Sequence, residues 1–286
     1  MKSESSAAAS LGEASSVTRI QSSNVWAAFN FKELWEFKEL LYFLIWRDIK
    51  VRYKQTIVGA GWAVLQPLIT MIVFTLLFDR LAKIPSDGLP YPIFAFTALL
   101  PWTYFSQAIT RSSASLVTSA NMIKKVYFPR LIVPIAAALS PMVDLAIAFT
   151  VLLGMMAWFR IVPTWGILAL PVFLLLALMT ALAVGIASSA INVRYRDVGH
   201  TIPFLIQIWM FASPVAYPVS MVPEKWRFLY GLNPMAGVIE GFRWALLGTQ
   251  SPDFQIISIS AAAVLFLLTC GLFYFNRVER FFADVI

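Results

Sequence analysis

The sequence predicts an all-α integral membrane protein with six transmembrane helices, an N-terminal amphipathic interface helix and a broken, re-entrant stretch before the last span. Three observations predict it. Of 286 residues, 59% are hydrophobic and 13% charged, whereas a soluble domain carries about 25% charged residues. The apolar residues collect in runs of bilayer length bounded by charge. Lys and Arg concentrate in alternate connecting segments, the bias that membrane insertion imposes.

A hydrocarbon core about 30 Å thick needs roughly 20 apolar residues per helix. Stretches free of Asp, Glu, Lys and Arg cover 55–78, 88–110, 161–193, 198–223 and 254–276, and a sixth, 131–159, is interrupted only by Asp144. The run 228–239 is too short to span. It lies in a segment, 218–253, that holds Pro218, Pro223, Pro234 and Pro252. Broken helices at membrane depth are tolerated only where protein or a water-filled cavity covers them.

The chain divides into three parts. Residues 1–28 open with a Ser- and Ala-rich stretch that has no apolar core after a basic start, so they read as a disordered cytoplasmic tail and not a secretory signal. Residues 29–54 form the interface helix. Leu34, Phe37, Leu41, Leu44 and Ile45 recur at helical spacing, with Lys32, Glu33, Glu36 and Glu39 on much of the remainder. Such a helix lies along a membrane surface or packs on a soluble partner; Trp35 and Trp46 favour the membrane, because indole prefers the headgroup level. The string Arg47 to Lys54 holds four cations that hydrocarbon excludes, pinning this end to the cytoplasm. Residues 55–286 form the transmembrane domain. With six crossings and both termini cytoplasmic, sixteen Lys and Arg fall inside and six outside. The net charge of +7 is thereby explained by loops facing an anionic leaflet, without nucleic acid.

The inventory excludes most chemistry. Cys270 is the only cysteine and His200 the only histidine, so no metal cage is available. No phosphate-cradling Gly-x-x-x-x-Gly-Lys-Ser/Thr and no Gly-x-Gly-x-x-Gly occurs, and no Ser, His and Asp set occupies a plausible site. Catalytic residues, metal and cofactor are therefore expected to be absent from this chain. Asp144 is the one clear ionisable residue within a span. It reads either as a proton or ion relay or as a carboxylate hydrogen-bonded to a neighbouring helix or a wet cavity. One carboxylate makes a poor relay chain, which points to an external ATPase as the energy source.

Five stretches carry a resemblance. They are Arg47-Asp48 with Lys50 to Thr56, Gly59, Gly61-Trp62 and Leu65-Gln66-Pro67; Phe128-Pro129-Arg130 with Pro134; Asn192 to Val198; Ser213-Pro214-Val215 with Tyr217-Pro218; and Leu232 to Ala236 with Glu240-Gly241-Phe242-Arg243. In this order, over about residues 30–280, they resemble the type-2 ABC exporter permeases for polysaccharides. The resemblance implies the transmembrane subunit of an ATP-driven exporter in the bacterial inner membrane. It would be a homodimer with two separate ATP-binding subunits, which would hold ATP and Mg. The cargo would be a lipid-linked polysaccharide such as O-antigen, capsule or a teichoic-acid-like polymer. The resemblance also implies two short re-entrant helices before the last span, where the broken stretch lies.

Site residues follow from that expectation. The ATPase partner needs a lever, for which the candidates are the 29–46 helix, through Phe37 and Leu41, and the 111–125 segment, through Ser115, Asn121, Lys124 and Lys125; the bland reading makes both interfacial anchors. A sliding sugar chain wants aromatic faces and few strong charges. Trp62, Trp102, Tyr104, Phe105, Trp209, Phe211 and Tyr217 are the candidates, against the alternative of interfacial or core packing. Arg194 and Arg196 are candidates to meet a lipid pyrophosphate, or serve only as topology anchors. Two other function classes stay open: a type-2 permease for a drug or small lipid, and a membrane-embedded lipid glycosyltransferase, which needs clustered carboxylates or histidines not found here.

Overall fold

The structure is a computed structural model that describes residues 31–54, 61–248, 253–280 and 282. The expected N-terminal tail, and Gln55, Thr56 and Gly59 of the first motif, lie outside the described residues. Among the described residues every regular element is helical. In order these are α1 (Phe31–Glu36), α2 (Lys38–Lys54), α3 (Gly61–Phe74), α4 (Tyr91–Thr118), α5 (Ala120–Lys125), α6 (Ile132–Leu139), α7 (Met142–Trp158), α8 (Leu170–Arg194), α9 (Val198–Phe211), α10 (Glu224–Gly231), α11 (Pro234–Leu247) and α12 (Phe254–Glu279). A π-helical turn, Thr75–Leu81, extends α3, and a 3-10 turn, Trp165–Ala169, leads into α8.

Four helical stretches are long and apolar enough to cross a membrane: Gly61–Leu81, Ile132–Trp158, Trp165–Arg194 and Phe254–Glu279. Each coincides with a charge-free run or, for 132–158, with the run interrupted by Asp144. The second run became α4, whose 28 residues reach about 42 Å at 1.5 Å per residue. Its composition is more polar because it is the central helix, packed against α3, α6, α7, α8, α9 and α11. Thr97, Tyr104, Ser112, Ser113 and Ser115 are buried among protein, not lipid. Hydroxyls at such depth bond back to the helix, as Thr97 does to the Ile93 carbonyl at 2.8 Å.

The run 198–223 departs from expectation. It is not one continuous helix: α9 has 14 residues, about 21 Å, and ends at Phe211. Pro214, Pro218 and Pro223 then prevent helical continuation, and the chain turns through 212–223 with a single 3-10 turn, Val219–Met221. The broken stretch beyond it folds into α10 and α11. Asn233 separates them and caps α11, its side-chain oxygen accepting from the Met235 N–H at 3.1 Å. Gly248, at φ +63°, closes α11 in the left-handed conformation that glycine adopts without strain. Asp253 caps α12 by accepting from Gln255 and Ile256.

The predicted stripe of the N-terminal helix is real, but it faces this chain. Leu34, Phe37, Leu41, Leu44 and Ile45 pack into a cluster with Leu116, Phe128, Ile132, Val133 and Phe275. The helix breaks at Phe37 and continues to Lys54, with α2 lying against α6. The opposite face exposes Trp35, Tyr42, Phe43 and Trp46. Lys50 places its ammonium 4.5 Å from the Trp46 ring centroid, and Lys38 sits 5.3 Å from that of Trp35. Aromatic rings with cations beside them suit the headgroup level.

Candidate functional site

Three polar constructions stand out in the apolar bundle. The first is the 212–217 turn. Irregular backbone in a dry environment must have its carbonyls satisfied by protein. Arg243 of α11, 2% exposed, donates through Nη2 to the Val215 carbonyl at 2.9 Å, through Nη1 to that of Tyr217 at 3.3 Å and through Nε to that of Phe94 at 3.4 Å. Its guanidinium lies 3.5 Å from the Phe94 ring centroid. Tyr91 donates to the remaining carbonyl, Ala216, at 2.7 Å. Three successive carbonyls outside any helix are thus met by two side chains. Sequence reasoning counted Arg243 as an outside-loop cation. Burial corrects that: the Glu240-Gly241-Phe242-Arg243 motif is internal scaffolding.

The second construction is Asn233. Beyond capping α11, its oxygen accepts from Trp209 Nε1 at 2.9 Å, and its amide donates to Ser213 Oγ at 2.9 Å and the Ala212 carbonyl at 3.1 Å. Ser260 of α12 joins in, donating to the Gly231 and Asn233 carbonyls and accepting from Gly237 N–H at 3.1 Å. A Cβ on Gly237 would sit 2.6 Å from the Ser260 Cβ, so this approach of α11 to α12 requires glycine. Two motifs far apart in the chain, Ser213-Pro214 and Asn233-Pro234, are therefore halves of one knot.

The third is a buried ion pair. Asp144 is 7% exposed, in the first turn of α7. Arg52 Nη1 donates to one carboxylate oxygen and Tyr53 OH to the other. Arg52 Nη2 also reaches Ser140 Oγ at 3.4 Å. One of the four cations of the Arg47 to Lys54 string is thus drawn against the bundle, where a largely buried cation is tolerated once paired. The pairing also selects between the two readings of Asp144: the carboxylate is held by a neighbouring helix. The sequence carried a signal for this, a lone acid in a span and a cluster of cations before another, without saying which cation was the partner.

The expected channel aromatics separate into two groups. Trp102, Tyr104 and Phe105 are buried in the protein's own core. Tyr104 donates to the Ala138 carbonyl at 3.2 Å, and Phe105 meets Trp209 edge-on at 5.2 Å. In this chain these rings pack into the core, where α4 is surrounded by other helices. Trp62 and Phe211 are exposed, while Trp209 is half-buried and Tyr217 pairs its hydroxyl with that of Tyr230 at 3.1 Å. An apolar groove of about 500 Å³ between α10 and α12, lined by residues including Phe228, Leu232, Ile259 and Phe266, contains none of them.

The expected ATPase contacts separate likewise. Phe37 and Leu41 face the cluster around α6. Ser115 is buried and donates to the Ser112 carbonyl at 2.7 Å. Ser115 is thus an internal packing residue, while Phe37 and Leu41 are half-buried against the same chain. Asn121, Lys124 and Lys125 stand exposed on α5, followed by exposed Val126 and Tyr127. Arg194 and Arg196 are exposed where α8 turns into α9. Asn192 braces that turn, donating to the Ser113 carbonyl at 2.9 Å and accepting from Gly199 N–H at 3.0 Å. Among the described residues no group of three or more His, Cys, Asp or Glu is placed to hold a metal.

Comparison with known proteins agrees with this architecture. The profile of the ABC-2 type transporter family matches residues 39–247, from α2 to the end of α11. The O-antigen export system permease protein RfbA of Myxococcus xanthus is 28% identical over 254 residues, covering 87% of this chain and 96% of that one. RfbA of Klebsiella pneumoniae is 27% identical over 252 residues, covering 87% and 95%. The polysialic acid transport protein KpsM of Escherichia coli is 21% identical over 249 residues, covering 83% and 92%. With a family match over most of its length and apolar helices of membrane-crossing size, this multi-pass membrane protein belongs to the ABC-2 type transporter family.

Proposed function

We propose that this chain is the transmembrane subunit of an ATP-driven exporter that moves a lipid-linked polysaccharide across the bacterial inner membrane. The observation that carries the reading is near-full-length similarity to permeases named for O-antigen export, supported by similarity to a polysialic acid transport protein. The chain has no nucleotide-binding motif of its own, so ATP and Mg belong on two partner subunits. Two copies of this chain form the translocation unit. In it α4 and α9 join the four apolar spans as crossings, α10 and α11 act as a re-entrant pair, and both termini face the cytoplasm.

The exposed cations of α5 are the best-placed group to meet the ATPase, since Lys124 and Lys125 spend no contact on the bundle. Arg194 and Arg196, exposed beside a braced turn, are placed to meet an anionic lipid head. Trp62, Phe211 and the half-exposed Trp209 and Tyr217 remain as the aromatic surface for a sliding sugar chain.

Deletion of the gene tests the reading. Labelled glycan should accumulate on the cytoplasmic side and disappear from the surface, and return with the wild-type gene. Normal surface glycan in the deletion strain refutes it. Polymer-stimulated ATP hydrolysis by the co-purified pair, absent from this chain alone, tests the division of labour.

A further inference from the structure

The ion pair between α2 and α7 has more structure than a membrane anchor needs. Arg52 and Asp144 lie 92 positions apart in the chain, and their side chains are 16% and 10% exposed. The carboxylate is gripped at both oxygens, by a guanidinium and by a phenol. Tyr53 lies on α2, outside the apolar spans; burial first, and then its hydrogen bond to Asp144, pushes its phenol up to about 12. The hydroxyl therefore stays protonated and donating at any physiological pH.

The location matters as much as the contacts. The third apolar span is broken between α6 and α7, where Ser140 and Pro141 intervene. α2 packs along α6, on one side of the break. The end of α2 grips Asp144, in the first turn beyond the break. One helix thus contacts the span on both sides of the Ser140-Pro141 turn. Arg52 reaches the joint itself through Ser140 Oγ at 3.4 Å.

Stability alone does not account for this choice of residues. Replacing a buried ion pair with apolar side chains of similar volume is often neutral or stabilising, while removing one partner is strongly destabilising. Such a pair is retained to best effect where it specifies one geometry or one register. Arg111 of α4 lies within electrostatic range of Arg52, Asp144, Asp48 and Tyr53, so the Asp144 carboxylate stands between two cations from two helices.

We propose that Asp144 is a positioning residue for transport: through Arg52 and Tyr53 it couples displacement of α2 to the α6–α7 joint of the third span. The inference rests on the functional reading above, since it assigns the route by which an ATPase beneath the bundle moves the spans. It assigns Asp144 no proton-carrying role. The carboxylate transmits force while remaining paired.

The experiment uses the complete transporter, this chain with its ATP-hydrolysing partner, in inverted membrane vesicles loaded with the cell's own radiolabelled lipid-linked glycan. Asp144→Asn removes the carboxylate charge that Arg52 pairs with, and should lower both the amount in the membrane and export at least tenfold. The neutral double variant, Arg52→Gln with Asp144→Asn, removes the charges of both partners of the ion pair. Its amount should return to within twofold of wild type, while glycan translocated per ATP hydrolysed stays at least fivefold lower. A purely structural staple predicts recovery of both quantities, and that result overturns the proposal. Should the double variant fail to accumulate, Asp144→Glu keeps the charge and displaces the carboxylate by one methylene. Normal amount with reduced glycan per ATP supports the coupling role, and an unchanged ratio overturns it. Loss of wild-type export on adding a protonophore at constant ATP reveals a relay and also overturns it. Wild-type vesicles without any ATP-driven export sink the functional reading and this inference together; wild-type export with an unaltered neutral pair sinks the inference alone.

Discussion

Arg243→Met is the most informative single perturbation of the scaffold. Methionine matches the aliphatic stem of arginine and suits the surrounding apolar contacts, so the loss is confined to the guanidinium. Phe94 lies within α4, where its carbonyl sits in the helical ladder. The Val215 and Tyr217 carbonyls lie outside any helix, and Arg243 is the donor that reaches them. Leaving these two acceptors buried and unpaired costs about 1–3 kcal/mol each. The cation–π contact with Phe94, desolvated at 3.5 Å, adds about 2 kcal/mol. Relief of the arginine's own desolvation offsets part of this, which leaves a net loss of about 4 kcal/mol. For a chain of this size each kcal/mol moves Tm by roughly 2–4 °C, so detergent-solubilised Arg243→Met should melt about 10 °C below wild type. The assay is thermal unfolding of the purified protein followed by fluorescence-detected size exclusion, at matched lipid content. Tyr91→Phe, which removes only the bond to the Ala216 carbonyl, provides an internal scale at about 1 kcal/mol. A melting temperature for Arg243→Met within about 2 °C of wild type would falsify the view that this side chain satisfies the turn.

Asn233→Ala removes a helix cap together with the bonds to Trp209 and Ser213, and should cost about 2–3 kcal/mol in the same melting assay; an effect no larger than that of an isolated cap rules out the shared knot. Gly237→Ala forces a Cβ against Ser260, 2.6 Å away, and overpacking of that kind should cost about 1–3 kcal/mol; partial recovery in Gly237→Ala with Ser260→Gly identifies the clash as the cause. Lys124→Glu with Lys125→Glu alters only exposed α5 cations, so Tm should hold while co-purification of the ATPase partner falls severalfold and becomes less sensitive to salt; unchanged co-purification across salt concentrations excludes α5 as the docking element.

The membrane class, four of the spans and the broken stretch before the last span were legible because each depends on local properties. A run of about 20 apolar residues is long enough to span, whatever surrounds it, and clustered prolines such as Pro214, Pro218 and Pro223 disfavour a continuous helix. The alternation of Leu34, Phe37, Leu41 and Leu44 likewise specified an apolar face from spacing alone. What that face meets is another matter. It turned inward onto α6, so Phe37 and Leu41 pack against this chain. α4 carried the aromatics that looked suited to a channel, yet it is the helix every neighbour surrounds, so Trp102, Tyr104 and Phe105 became core.

Chain order and composition therefore determined the medium and the lengths of the apolar runs. Tertiary structure alone decided which charges are spent inside. Arg52 and Arg243 read as ordinary topology markers in the sequence, and Asp144 as a lone acid without a named partner, because the cost of burying a charge depends on a partner brought from elsewhere in the chain. Folding supplied Asp144 to Arg52 across 92 positions and three backbone carbonyls to Arg243. Pairing at that separation is a property of packing, and no local pattern encodes it.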